Sequence, residues 1–148
     1  MNHLFILIVA MCLLVSSYSC GQNPKPSAKE IYELREDCGK HAATIFKELY
    51  GKNGMSNDKD GSYMSSYTNH YNIKPNKCFV LINTTFYPNS KKENVLIMKE
   101  LWDINENKKY GSMARFRKQS IPTDCSVEDR ICKSEGEWDS LVKPYMEE

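Results

Sequence analysis

His70 is the side chain of this sequence best suited to general acid–base chemistry. It lies in the run Asn69-His70-Tyr71-Asn72, and imidazole is the side-chain group whose ordinary pKa falls near neutral pH. Asp103 would orient the imidazole ring if the strands that carry the two residues were neighbours. The pattern therefore has two interpretations, a general base or a hydrogen-bonded histidine within a sheet.

Three tyrosines at four-residue spacing suggest an aromatic binding surface. Tyr63, Tyr67 and Tyr71 lie in one run of alternating residues, and Trp102 follows in a later run. Aromatic rings with polar tips supply contact area for a glycan or a peptide at low entropy cost. Packing in the hydrophobic core is the alternative interpretation. The candidate ligand-binding residues are therefore Tyr63, Tyr67, His70, Tyr71 and Trp102.

The motifs of common metal and cofactor sites are missing or altered. Residues 103–107 imitate the start of a calcium loop, but Lys108 replaces the glycine of its sharp turn and Ala114 its bidentate carboxylate. The sequence has no C-x-x-C motif for zinc, no G-x-S-x-G elbow, no P-loop and no G-x-G-x-x-G motif. A looser cation site at residues 103–107, or at Asp58 and Asp60, is the alternative. We therefore expect no metal and no cofactor.

The amino-terminal residues have the pattern of an export signal. Residues 4–15 form an uncharged apolar run, long enough for a signal-peptide core and shorter than the ~20 residues that span a bilayer. Small residues, Ser17 and Ser19, precede Cys20, as at a processing site. We expect a signal peptide at residues 1–19 and a bacterial lipoprotein acylated on Cys20. Plain secretion and an uncleaved apolar helix are the alternatives.

The other cysteines indicate an oxidising compartment. Of six cysteines, Cys12 lies in the signal core and Cys20 at the junction, which leaves an even set in the folded domain: Cys38, Cys78, Cys125 and Cys132. An even set in an exported domain predicts two disulfides. Cys38 lies on the apolar stripe of a predicted helix, and Cys78 on the apolar face of a predicted strand. We favour Cys38–Cys78 with a local Cys125–Cys132 bridge, and other pairings stay open.

Residue periodicity predicts two helices and an antiparallel sheet. Ser27 and Glu30 match a capping box, and a helix with an apolar stripe follows as far as Gly51: Ile31, Leu34, Cys38, Ala42, Ile45 and Leu49. Alternating patterns predict strands at residues 63–71, 78–87, 95–104 and 109–117, with an exposed loop at 52–61. A second capping box at Ser134 begins a helix that Pro144 should end or bend near Val142.

The predicted fold class is α+β. We expect an N-terminal helix, a four-stranded antiparallel sheet, a C-terminal helix and two disulfides. Residues 20–27, with Pro24 and Pro26, form a tether, and residues 28–148 form a single domain. Lysine and arginine total 20 against 19 acidic residues, so the net charge is +1. This balance argues against a nucleic-acid partner.

Several motifs in the sequence resemble those of a known family. They are residues 67–72, residues 76–81, residues 101–107 with Tyr110-Gly111, and residues 132–135 with Trp138-Asp139 and residues 144–146. Over most of its length after Cys38, the chain resembles a family of short, uncharacterised bacterial exported or lipoprotein-type proteins. That family has no assigned activity, cofactor or catalytic residue. The resemblance therefore implies bacterial export and transfers no site.

These expectations lead to two classes of function. The preferred one is a non-catalytic binding or accessory module of the bacterial cell envelope, anchored to a membrane by lipid or secreted, with an unknown protein, peptide or glycan ligand. The order of a helix followed by strands is similar to that of cystatin-like inhibitors, which is a fold analogy alone. The second class is a small envelope hydrolase that uses His70 as general base.

Overall fold

The computed structural model describes residues 25–90 and 94–147. The predicted signal peptide, the predicted lipidation site Cys20 and most of the predicted tether lie outside the described residues. Helix α1 (Ala28–Tyr50) precedes an antiparallel sheet, and helix α2 (Glu135–Met146) follows it. The predicted α+β class is confirmed.

Within the described residues, the sheet is a meander of seven strands in chain order. Its long strands are β2 (Gly61–Asn72), β3 (Lys77–Pro88), β4 (Leu96–Asp103) and β5 (Lys108–Phe116). The edges are extended by β1 (Met55–Asn57), β6 (Asp124–Val127) and β7 (Arg130–Ile131). The predicted number of four strands was wrong, because strands of two to four residues are too short to show alternation. For the same reason, the predicted loop at 52–61 contains β1.

Helix α2 covers one face of the sheet and buries the larger core. Trp138 and Val142 of the helix pack on side chains from four strands: Phe79, Leu101, Met113 and Val127. Ser134 caps the helix, because its hydroxyl accepts the amide of Glu137 at 3.2 Å. The predicted capping box is only half present, since the Glu137 carboxylate accepts from the amide of Lys133 rather than from that of Ser134. The Cys125–Cys132 disulfide closes the β6–β7 hairpin at the border of this core.

Of the two predicted effects of Pro144, an end or a bend near Val142, the end is wrong, because helix α2 continues past Pro144 to Met146. Pro144 lies in the last turn, so its ring removes one amide donor near an end where carbonyl groups are already unpaired. The side-chain amide of Asn72 donates to the carbonyl oxygens of Pro144 (2.8 Å) and Tyr145 (3.3 Å). This contact stabilises the end of the helix and joins it to β2.

Helix α1 lies on the other face and is joined to it covalently. The predicted capping box of Ser27 and Glu30 is present, and Cys38 is disulfide-bonded to Cys78 of β3. Ala42 packs on Val80 and Ile82. Not all of the predicted apolar stripe is buried, because α1 is longer than its contact with the sheet. Leu34 and Leu49, towards its two ends, are 36% and 69% exposed.

Both favoured disulfides are present in the structure, which indicates an oxidising, extracytoplasmic environment. In the part of the chain that the structure describes, no helix has the length and apolar character that crossing a membrane requires.

Candidate functional site

Helix α1 leaves much of its face of the sheet open. A helix is about 10 Å wide and adjacent strands lie about 4.8 Å apart, so one helix covers roughly two strands. Helix α1 contacts β2 and β3, and a groove of about 390 Å³ crosses the same face from Tyr63 of β2 to Asp124 of β6. An apolar cavity of about 100 Å³ adjoins it beside the end of α1. Tyr50 and Ile82 line both spaces, which we call together the sheet groove.

The end of the sheet groove near α1 is apolar and aromatic. Ile45 and Tyr50 of the helix face Ile82 and Trp102 of the sheet across the smaller cavity. Trp102 is partly exposed there, and its indole N–H donates to Glu100 at 3.3 Å. This hydrogen bond holds the indole ring at the boundary between the two ends of the groove.

The far end of the sheet groove is polar. Glu100 of β4 accepts a hydrogen bond from Lys109 of β5 at 3.2 Å, with side chains that are 32% and 44% exposed. The hydroxyl of Ser112 donates to Asp124 of β6 at 2.8 Å. The two carboxylates are thus held in place by neighbouring strands, and each keeps oxygen lone pairs for a ligand that donates hydrogen bonds.

A β-bulge brings Lys109 to the sheet groove. Gly111 pairs with Leu101 and Lys109 pairs with Trp102, so Tyr110 is an extra residue on β5. In a regular strand Lys109 would share the face of Gly111, which lies under Trp138 of α2. The bulge instead turns Lys109 towards the groove.

The tyrosines that line the sheet groove remain hydrogen-bond donors at neutral pH. Burial, followed by the negative charge of Glu100, raises the pKa of Tyr50 above its ordinary value. Burial, followed by the charge of Asp58, raises the pKa of Tyr63. The Tyr63 ring also packs against Phe86 with 4.6 Å between ring centroids. Both hydroxyl groups therefore stay protonated.

The predicted aromatic row shares one sheet face, but it does not form one surface. Tyr63 and Trp102 line the sheet groove. Tyr67 packs under α1, with its ring centroid 4.5 Å from that of Phe46. Tyr71 is 5% exposed beside the Cys38–Cys78 disulfide and donates its hydroxyl to Asn76. Two of the four aromatic residues therefore line the sheet groove, and the other two pack in the protein core.

His70 lies on the face opposite to the sheet groove. It pairs with Phe79, whose ring packs against Tyr145 of α2. Its Nε2 atom is buried and has no hydrogen-bond partner among the described residues. Strand β3 separates its strand from that of Asp103, and Asp103 accepts instead from Lys77 at 2.6 Å and from the amide of Asn105 at 3.1 Å. Asp103 could orient His70 only if their strands were neighbours, and these strands are not neighbours.

Sequence reasoning missed the polar end of the groove: Glu100, Lys109, Ser112 and Asp124. One signal was visible, because Glu100 interrupts an otherwise apolar face of its strand between Met98 and Trp102. The position of Lys109 depends on the bulge, and that of Asp124 depends on the short strand β6. Within residues 25–90 and 94–147, no three His, Cys, Asp or Glu side chains are grouped so as to hold a metal ion.

No protein-family model, no curated protein and no solved structure matches this chain.

Proposed function

We propose that this protein is a non-catalytic, exported binding module of the bacterial cell envelope, and that its sheet groove holds a neutral, hydroxyl-rich ligand such as a glycan. One observation carries the proposal: aromatic rings and carboxylates that are held in place by hydrogen bonds lie side by side on an open face of the sheet. Export is supported by the two disulfides, by the amino-terminal signal pattern and by the family resemblance.

The two ends of the groove match the two kinds of surface on a sugar. The C–H faces of a sugar ring are apolar and pack against aromatic rings, which Tyr50 and Trp102 supply. Its hydroxyl groups donate to carboxylate oxygens, which Glu100 and Asp124 supply. Recognition of this kind needs contact and hydrogen bonds, and no reacting group.

The charges at the groove favour a neutral ligand over an anionic one. Lys109 offsets the charge of Glu100 at 3.2 Å. The charge of Asp124 is not offset by its partner, because Ser112 is a neutral donor. The polar end therefore carries a residual negative charge, which repels a phosphate or carboxylate ligand.

Calorimetric titration of the protein with neutral oligosaccharides, soluble peptidoglycan fragments and uncharged peptides tests the proposal. We expect the sugars to bind, and we expect Glu100→Ala and Asp124→Ala each to weaken binding by about tenfold, as for one lost hydrogen bond to a charged group. Thr68→Ala is the matched control, because Thr68 is exposed on the opposite face. Sugar binding that neither groove variant weakens, or binding of peptides alone, would contradict the proposed ligand.

The proposed lipid anchor is tested at the mature terminus. Mass spectrometry of the protein from a bacterial envelope should find residue 20 first and acylated, which would tether the domain to a membrane face. A mature chain that begins elsewhere, or an unmodified Cys20, would refute the anchor and leave secretion.

Assays of His70→Ala distinguish the binding module from the hydrolase. If this variant abolished a hydrolytic activity of the protein while its melting temperature stayed unchanged, the non-catalytic function would be wrong. We expect its sugar affinity to match that of the wild-type protein, because His70 lies on the face opposite to the groove.

A further inference from the structure

The sheet groove has two spaces of different size. The larger space measures about 390 Å³ and the smaller cavity about 100 Å³. Pockets that enclose a whole small-molecule ligand usually measure about 300–1,000 Å³. The larger space therefore has room for a sugar ring, whereas the smaller cavity has room only for a substituent of that ring. Tyr50 and Ile82 line both spaces, so one bound ligand can reach into the two.

Aliphatic side chains form most of the wall of the smaller cavity. Ile45 and Leu49 extend from α1, and Ile82 and Ile104 extend from the sheet and from the turn that follows β4. Ile82 is 7% exposed, but Leu49 is 69% exposed. An apolar side chain that stays in water beside an apolar cavity gains from any apolar group that covers it. The smaller cavity therefore favours a small apolar substituent, such as a methyl group, over a hydroxyl group.

Polar groups lie at the border of the smaller cavity. Oε2 of Glu100 accepts from the indole N–H of Trp102 at 3.3 Å, and Oε1 accepts from Lys109 at 3.2 Å. A carboxylate oxygen has two lone pairs, so each oxygen can accept one more hydrogen bond. Trp102 lines the smaller cavity and Glu100 lines the larger space, which places this acceptor where the two spaces meet. On the cavity side, Asn107 adds a side-chain amide that can donate.

We propose that the sheet groove selects a neutral N-acetylated amino sugar, with the sugar ring in the larger space and its acetamido group in the smaller cavity. This inference rests on the proposed function and names the class of sugar. An acetamido group combines an apolar methyl group, an N–H donor and a carbonyl acceptor. The groove supplies a partner for each: the aliphatic wall for the methyl group, Glu100 for the N–H, and the Asn107 amide for the carbonyl oxygen. A sugar with a hydroxyl group at that position leaves the aliphatic wall without a contact.

Calorimetric titration with two matched sugars tests this selectivity. Oligomers of N-acetylglucosamine and identically linked oligomers of glucose are both neutral, and they differ only in the group at the second carbon of each ring. We expect the acetylated oligomer to bind at least about tenfold more tightly, which corresponds to the burial of one methyl group and one additional hydrogen bond.

Two substitutions locate the acetamido group. Ile45→Phe adds volume on the α1 side of the smaller cavity, and we expect it to bring the affinity ratio of the two sugars close to one. Leu34→Phe is the matched control and should keep the ratio, because Leu34 lies on the same helix but does not line the cavity. Asn107→Gly removes the proposed donor and should lower the ratio by about fivefold. Asn107 has a φ of 49°, which glycine adopts without strain.

Failure of this inference can be told apart from failure of the proposed function. Equal affinities for the two oligomers would overturn the selectivity and leave glycan binding in place. A preference that both Ile45→Phe and Asn107→Gly leave unchanged would also overturn it, because the acetamido group would then bind elsewhere. If Ile45→Phe does not fold, Asn107→Gly decides. Failure of both oligomers to bind would overturn this inference, and the wider set of sugars named above then decides the proposed function.

Discussion

At the scale of the residue, Asp103 organises the turn between β4 and β5. Its side chain is fully buried and accepts from Lys77 and from the amides of Asn105 and Glu106. Its hydrogen bond, followed by that of Glu106, raises the pKa of Lys77 above the ordinary value. The burial of its carboxylate makes Asp103 a structural residue rather than a ligand contact.

Removal of the buried carboxylate of Asp103 should destabilise the folded protein. We expect Asp103→Ala to lower the free energy of unfolding by about 3 kcal/mol, because it leaves the turn amides without an acceptor and removes the buried one of the two carboxylates that pair with Lys77. Glu106→Ala is the control, since its side chain is 59% exposed and a pair of that kind contributes under about 1 kcal/mol. Urea unfolding measures both changes, and equal losses would argue against this role for Asp103.

Two glycines should respond to alanine in opposite directions. At Gly111 a Cβ atom would come within 2.7 Å of the carbonyl oxygen of Ser126 and 3.1 Å of the Trp138 ring. We expect Gly111→Ala to destabilise the protein by about 2 kcal/mol. Gly136, in the first turn of α2, has open space around it, so Gly136→Ala should stabilise by about 0.5 kcal/mol. Thermal unfolding measures both, and the same sign for both would contradict the packing of α2 on β5.

At the scale of the element, Glu135 fastens the start of α2 to the sheet. Its carboxylate lies 2.8 Å from Lys99 and 2.8 Å from Arg115. The hydrogen bond from Lys99 holds the pKa of Glu135 below its ordinary value of 4.5, and the hydrogen bond from Arg115 lowers it further. Burial acts in the opposite direction but is outweighed. The charged form of Glu135 therefore stabilises the folded state more than the unfolded one.

The contribution of Glu135 should appear in how the melting temperature depends on pH. The pKa of Glu135 is 4.5 in the unfolded chain and lower in the folded protein. The contact therefore contributes its full stability above pH 4.5, and this contribution is lost as the pH falls through the pKa of the folded state. We expect Glu135→Gln to melt earlier at pH 7 and to lose less on acidification than the wild-type protein. Glu33→Gln, in an exposed pair with Lys29, is the control. Parallel melting curves for Glu135→Gln and wild type would contradict the contact.

The two disulfides connect different kinds of element and should differ in effect. Cys38–Cys78 joins a helix to a strand across 40 residues, and Cys125–Cys132 closes a hairpin across 7. Loop entropy predicts a loss of about 4 kcal/mol for the Cys38→Ala/Cys78→Ala double variant and about 2.5 kcal/mol for Cys125→Ala/Cys132→Ala. Denaturant unfolding measures the two losses, and a larger loss at the hairpin would show that another term dominates.

At the scale of the whole molecule, the elements were predictable wherever one residue pattern ran for several turns or repeats. The long helix and the four long strands have such patterns, and the pairing of Cys38 with Cys78 followed from the apolar faces that carry them. Strands β1, β6 and β7 are too short to show a period. The end of α2 was misplaced because Asn72, distant in sequence, binds its last carbonyl groups.

The candidate site was predictable only in part, for a related reason. Tyr63 and Trp102 were found because their own strands alternate clearly. The polar end of the groove assembles from β4, β5 and β6, and a bulge at Tyr110 decides which way Lys109 points. Such a site depends on register between strands, which no single stretch of sequence contains.

Tryptophan fluorescence during a titration with neutral oligosaccharide tests the proposed function most directly. The protein has two tryptophans. Trp102 borders the sheet groove, and Trp138 of α2 is 0% exposed between this helix and the opposite face of the sheet. We predict that a bound sugar changes the emission of the wild-type protein in a saturable way, and that Trp102→Phe abolishes this change because Trp138 does not meet the ligand. Saturable sugar binding that leaves the emission of Trp102 unchanged would contradict the sheet groove as the binding site.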